Sequence, residues 1–210
     1  MIFSSPAPGP MNTVLNIGCG PRIPSPLSRL FPADRWRELR MDIDPGNQPD
    51  LVASVTDMSA LADGSVGGIW SSHMLEHLYR HEVAVALGEC WRVLSPGGVF
   101  VAMVPDFQTV CRFVAEDRLD EVLYVAPSGP VTAHDIIFGY GPAVAAGNSF
   151  MAHRTGFTPS VIIAEMEAAG FGPILVQRQE ILQLQIIARR PHADGRPIAD
   201  PFHQPFRALS

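Results

Sequence analysis

Seven short runs rich in aliphatic and β-branched residues, TVLNIG, ELRMDID, LVASV, GIWSS, VFVAMVP, ILVQRQ and LQLQIIAR, recur between Thr13 and Arg189, with helical patterns between several of them. Parallel neighbours in a sheet need long crossovers, which helices supply, so this alternation predicts βαβ units and a mostly parallel sheet. The clearest helix is HEVAVALGECWRVL, where Val83, Leu87, Trp91 and Leu94 form one apolar stripe and Ser-Pro-Gly-Gly at 95–98 marks the end. Trp91 is therefore read as core. A second helix is bounded in TPSVIIAEMEAAGF by Thr158 as N-cap, Pro159 at the first helical position and Gly170 at the C-terminus. Residues 107–155 mix glycines with histidines and aromatics and read as an insertion covering the sheet's edge. Residues 1–11 form a loose leader and 191–210 a Pro-rich tail, leaving 12–190 as a single domain.

Of the 210 residues, 47% are apolar and 17% charged, enough for the core of one domain. The net charge of −6, without any run of Lys or Arg, offers no footprint for nucleic-acid phosphates or anionic lipid. The chain contains no lysine, which removes Schiff-base chemistry. Cys19, Cys90 and Cys111 have neither the paired spacing of a zinc ribbon nor the density of a disulfide scaffold. MIFSSPAPGP lacks the charged start and apolar centre of a signal peptide, and no run is long enough to span a bilayer. The expectation is a soluble protein of the cytoplasm.

The first strand ends in LNIGCGP. Gly18 and Gly20 let the backbone approach a ligand closely, but Ile23 stands where a dinucleotide loop has its third glycine. Pro21, Pro24 and Pro26 remove amide donors from the same region, so the loop favours a ligand without a phosphate. Asp42 and Asp44, with Ile43 between them, end the next strand where an acid meets ribose hydroxyls. Asp57 follows the third strand, able to accept from an exocyclic amine while Met58 packs on a purine face. Together they describe a site for an adenosine compound carrying no phosphate. Cys19, with no basic neighbour in the turn, is a small packing residue rather than a nucleophile.

LNIGCGP, MDIDPG, TDMSAL, SSHMLEHL, RVLSPGG and MVPDF, in this order over residues 14–106, resemble the class I S-adenosylmethionine (SAM)-dependent methyltransferases, in particular small bacterial members of the ubiquinone-biosynthesis-like (type 11) group. The resemblance implies a Rossmann-like, doubly wound, seven-stranded, mostly parallel sheet with helices on both faces. It places Gly18, Cys19 and Gly20 beside the methionine part of SAM, Asp42 and Ile43 at the ribose, Asp57 and Met58 at adenine, and Ser72 and His73 near the donor methyl. Asn16, where many members have Asp, and Pro21, in place of a small residue, depart from the pattern.

SSHMLEHL also matches the HxxEH pattern of a metallopeptidase group, with His73 and His77 as zinc ligands and Glu76 as base. That pattern needs a long helix, whereas GIWSS before it reads as a buried strand. The LEH step further resembles O-methyltransferases of the ubiquinone pathway and small-RNA 2′-O-methyltransferases, some of which hold a divalent metal. That resemblance implies Glu76, His77 and either His134 or His153 as a ligand set, although methyl transfer does not require a metal.

Methyl transfer from a sulfonium is an in-line displacement that depends mainly on alignment in a dry pocket. His153 is the first candidate for a base, with His77 beside it, since histidine titrates near working pH. His134, Tyr140 and Arg154 are candidates for contact with a small-molecule acceptor, Arg154 through a carboxylate or phosphate. The expected activity is methylation of an oxygen or nitrogen atom of a small molecule. Two alternatives stand beside it: a catalytically inactive cofactor- or partner-binding protein of the same fold, and a metal-dependent hydrolase built on His73, Glu76 and His77. A homodimer is compatible with either.

Overall fold

The computed structural model describes residues 11–23, 26–180 and 182–198. Strand β1 (Asn12–Ile17) buries Val14, Leu15, Asn16 and Ile17 in succession, the pattern of a strand covered on both faces. It is followed by β2 (Trp36–Asp42), β3 (Leu51–Val52), β4 (Val66–Ser72) and β5 (Leu94–Pro105). A hairpin of β6 (Val122–Ala126) and β7 (Gly129–Thr132) intervenes before β8 (Ile174–Gln179) and β9 (Gln183–Arg189). The main sheet has seven strands in the order β3-β2-β1-β4-β5-β9-β8, and β9 alone runs antiparallel to its neighbours. All seven runs read from the sequence form its strands. Strand order reverses direction between β1 and β4, which opens a crevice at the carboxyl ends of these strands.

Helices α1 (Leu27–Leu30), α2 (Arg80–Val93), α3 (Phe107–Ala115), α4 (Ala133–Phe138), α5 (Gly141–Ala145) and α6 (Pro159–Ala168) complete the fold. On one face of the sheet, Val83 and Leu87 of α2 and Ile162 and Met166 of α6 pack into a core with Leu15, Ile17 and Phe100. On the other face, Val14, Trp70, Val101 and Ile187 pack with Leu27, Leu30 and Phe31. Thr158 caps α6 as expected, accepting from Val161 N at 3.4 Å. Trp91 is only half buried: its indole N–H donates to Gly170 O at 3.1 Å, and the Arg190 guanidinium lies 3.9 Å above its ring. Ser-Pro-Gly-Gly does not form a separate turn but is taken directly into β5, with Gly97 at φ 79°.

Residues 107–155 are more regular than their glycines suggest. They form α3, the hairpin, α4 and α5, with a small core of Val110, Val131, Ala133 and Ile136. Their ends are tied beyond the carboxyl ends of β4 and β5, where Phe107 N donates to Phe157 O and Arg154 N to Glu76 O. Residues 1–10 and 199–210, most of the leader and tail, lie outside the described residues, as does Pro24. Among the described residues, no helix is long and apolar enough to cross a membrane.

Candidate active site

A cavity of about 270 Å³ opens at the crevice, walled on one side by Gly18, Gly20, Asp42 and Ile43, and on the other by Phe150, Met151 and Arg154. Gly18 takes φ +60°, and a Cβ there would lie 2.3 Å from Met74 Cγ, so backbone and packing both require glycine. Gly20 takes φ +57° but has open space where a Cβ would stand. Its amide donates to Asp42 Oδ2 at 2.8 Å, and Asp44 N donates to Oδ1 at 2.9 Å. Asp42 is thus buried and fixed by backbone amides, with further lone pairs left on its oxygens.

Arg40 lies beneath this loop at 4% exposure. Its guanidinium donates to Gly20 O, and to Asn47 O and Gln48 O at 3.4 and 3.1 Å, tying the glycine loop to the turn after β2. Asn16 donates to Glu38 Oε1 at 2.7 Å, so its amide is engaged below the loop. Cys19 does not line the cavity; burial pushes its thiol up to about 11, which leaves it protonated and unreactive.

The residues expected at adenine lie outside the cavity wall. Ser54 and Val55 line the cavity, whereas Asp57 and Met58 do not. Met58 is fully buried in the core, its amide donating to Glu89 Oε2 at 2.7 Å and its carbonyl accepting from Arg92 at 2.9 Å. This grip from α2 turns the segment away from the crevice. Asp57 is left in solvent, where the hydrogen bonds from Ser59 hold its carboxyl below the usual carboxylate range. Ser72 ends β4, paired in register with Met103, and is not part of the cavity wall.

Beyond the glycine loop lies a compact polar centre. His73 follows β4 with φ +51°, an unusual conformation for a residue other than glycine. Its Nδ1 donates to Glu76 Oε1 at 3.2 Å, and its Nε2 lies 3.1 Å from Gln183 Oε1. Burial opposes the imidazolium, but these bonds and the Glu76 charge raise the His73 pKa above its ordinary value. Glu76 is fully buried; burial would raise its pKa, yet His73, His77 and His153 together hold it below the usual range. Its Oε2 has no hydrogen-bond partner among the described residues.

His77 and His153 stand beside it with ring centroids 4.8 Å apart. His77 Nδ1 bonds Ala152 O at 3.1 Å and His153 Nδ1 bonds Ile136 O at 2.8 Å. A carbonyl only accepts, so each Nδ1 carries a proton and leaves Nε2 as the atom that can accept or ligate. Burial, first of its causes, lowers the His153 pKa, favouring the neutral form. One ligand atom from each of Glu76, His77 and His153 lies within 4.8 Å of the others. The unpartnered carboxylate oxygen and two free imidazole nitrogens fit a small divalent cation, with backbone carbonyls already orienting both rings.

His77 lines the cavity and His153 stands behind it. Residues 75–77 form a single 3₁₀ turn rather than part of a long helix, so the HxxEH stretch lacks the geometry a metallopeptidase needs. His134 is exposed and outside this cluster, its ring tilted against that of Phe138 with centroids 4.9 Å apart, and the Tyr140 hydroxyl donates to Ser128 O at the hairpin turn. Arg40, Ser54, Val55, Met74 and Gln183 were not legible as site residues. Only Arg40 carried a local signal, an arginine two positions before Asp42 and so on the same face of β2.

The methyltransferase domain family matches residues 15–102. Those residues carry a methyltransferase domain. No curated protein matches the chain by sequence. The fold is similar to that of a SAM-dependent methyltransferase from Methanosarcina mazei, with 18% identity and a TM-score of 0.58 over 87% of this chain and 93% of that one. It is also similar to the 1,6-didemethyltoxoflavin-N1-methyltransferase of Burkholderia thailandensis, whose structure holds 1,6-didemethyltoxoflavin and S-adenosylhomocysteine. There the identity is 15% and the TM-score 0.52, over 86% of this chain and 72% of that one. A third similar structure is the Haloferax volcanii putative methyltransferase in complex with the Trm112 methyltransferase activator, at 15% identity and TM-score 0.53 over 87% and 85% of the chains. The match over residues 15–102 makes the chain an enzyme of methyl transfer.

Proposed function

We propose that the enzyme methylates an oxygen or nitrogen atom of a small molecule, with Glu76, His77 and His153 as the centre that activates the acceptor. The observation that carries this reading is the continuity of one cavity from Gly20 and Asp42 to His73 and His77. Asp42 takes the ribose hydroxyls, Ile43, Ser54 and Val55 flank the base, and the glycine loop accommodates the methionine part. The acceptor enters from the side of His77, beneath the 107–155 insertion.

In the transfer, the acceptor atom attacks the methyl carbon in line with sulfur; the new bond to carbon forms as the carbon–sulfur bond breaks, and its electron pair stays on sulfur. The acceptor's proton goes to the free Nε2 of His77, whose Nδ1–H is held by Ala152 O. His153 supports this position from behind, and the buried Glu76 carboxylate stabilises the imidazolium that forms.

Glu76, His77 and His153 also supply a ligand set for a divalent cation, a second reading favoured by the unpartnered Glu76 Oε2. Such an ion, when bound, lowers the pKa of an acceptor hydroxyl. Calorimetric titration with SAM and S-adenosylhomocysteine, followed by tritiated methyl transfer with and without chelator, tests both readings. Saturable binding with chelator-resistant turnover supports the histidine base; chelator-sensitive turnover supports the cation; absence of binding overturns the proposal.

A further inference from the structure

We infer that the acceptor carries a carboxylate, and that Arg154 is the residue that selects it; this rests on the reading of the cavity as the methyl-transfer site. Arg154 is the only arginine in the described cavity wall, and the chain has no lysine to share the task. No carboxylate pairs with its guanidinium among the described residues, in contrast to Arg80, Arg92, Arg118 and Arg178, which all form ion pairs. Its guanidinium instead lies 4.7 Å above the Tyr79 ring. A stacked guanidinium keeps its in-plane N–H donors free, and their fork matches the two oxygens of a carboxylate.

The placement of Arg154 relative to the reacting centre is fixed by the backbone. Arg154 N and Thr155 N both donate to Glu76 O, at 2.8 and 3.2 Å. The residue that would hold the anion is therefore registered to the residue that would activate the acceptor, so one acceptor can reach both. Leu78, Phe150 and Met151 line the space around them, a wall suited to an aromatic or aliphatic body. A single guanidinium with no second permanent cation in that wall suits a monoanion better than a phosphate dianion.

The cofactor has a carboxylate of its own, which the proposed reading puts with its amino-acid end at the glycine loop rather than at Arg154. These two assignments separate experimentally. Protein saturated with S-adenosylhomocysteine is titrated calorimetrically with benzoate, benzamide and phenyl phosphate, for the wild type and for Arg154→Gln. The side chain of Arg154 makes no hydrogen bond among the described residues, so the variant is expected to fold and to bind S-adenosylhomocysteine within twofold of wild type.

Benzoate is expected to bind the loaded wild type at least tenfold more tightly than benzamide, and Arg154→Gln to abolish that preference. Equal affinity for benzoate and benzamide overturns the inference, as does tighter binding of phenyl phosphate. A tenfold or greater loss of S-adenosylhomocysteine affinity in Arg154→Gln also overturns it, by assigning the guanidinium to the cofactor's own carboxylate. Failure of the wild type to bind S-adenosylhomocysteine would be seen before any probe is added, and takes down the underlying cavity reading and this inference with it.

Discussion

Replacing Gly18 and Gly20 separately by alanine distinguishes a glycine kept for folding from one kept for the ligand. At Gly18, a Cβ would lie 2.3 Å from Met74 Cγ and 2.8 Å from Met74 Cβ, at a backbone φ of +60°. The left-handed conformation costs about 1–2 kcal/mol, and overpacking a core costs about 1–3 kcal/mol more. Gly18→Ala is therefore expected to lose about 2–5 kcal/mol in urea unfolding, the sum of these two costs. At Gly20 only the backbone cost of about 1–2 kcal/mol applies, because nothing lies within 4 Å of the added methyl. That methyl instead enters space beside Asp42, so Gly20→Ala is expected to lose tenfold or more in S-adenosylhomocysteine affinity by calorimetry. Combining Gly18→Ala with Met74→Ala relieves part of the clash, and the double-mutant cycle should show a favourable coupling of about 0.5–3 kcal/mol. Additivity within error, or a Gly18→Ala variant as stable as wild type, refutes the packing argument. A Gly20→Ala protein that binds the cofactor normally refutes the placement of the ligand.

Asp42→Ala should abolish measurable binding of S-adenosylhomocysteine in calorimetry, since the side chain both positions Gly20 N and faces the ligand. Arg40→Met strands three backbone carbonyls in a buried site and should cost about 2–3 kcal/mol in thermal or denaturant unfolding, with cofactor affinity falling alongside. Glu76→Gln should reduce turnover about a hundredfold or more in a tritium-transfer assay while leaving S-adenosylhomocysteine affinity within twofold; unchanged turnover would remove Glu76 from the centre. For Asp135, burial raises the pKa, but the amides of Gly141 and Thr132 and the Thr132 hydroxyl lower it further, so the folded value lies below the ordinary one. Its contribution to stability is therefore complete above the ordinary aspartate pKa and is lost as pH falls through the folded value. Amide exchange across residues 129–141 should accelerate on acidification in the wild type and lose that dependence in Asp135→Asn.

The sheet was legible because each of its strands carries its own local run of β-branched or aliphatic residues, and because Gly18, Gly20 and Asp42 sit at fixed offsets from strand ends. The adenine end was not legible. Asp57 and Met58 follow β3 at a plausible distance, but Glu89 and Arg92, more than thirty residues on, decide which way that segment turns. Local pattern contains no trace of that grip. The centre was half visible: Glu76 and His77 announce themselves in SSHMLEHL, while His153 is one of two downstream histidines that composition cannot separate. Only the folding of the insertion, with His153 bonded to Ile136 O and His134 left exposed beside Phe138, distinguishes them. The insertion itself was read as irregular because its helices and strands are too short to display a period.

Both ends of that insertion are fastened to the same small region. Phe107 N is bound to Phe157 O at 3.1 Å, and Arg154 N to Glu76 O at 2.8 Å. The hairpin between these fastenings can change length without moving Glu76 or the glycine loop, because closing a longer loop costs only about 0.6 kcal/mol for each doubling. The segment behaves as a cassette with two clamped terminals, mounted over the cavity. Exchanging the stretch from 116 to 130 for one of different length offers a way to reshape the cover, with Ile136 and Ala152 retained to hold the His153 and His77 rings.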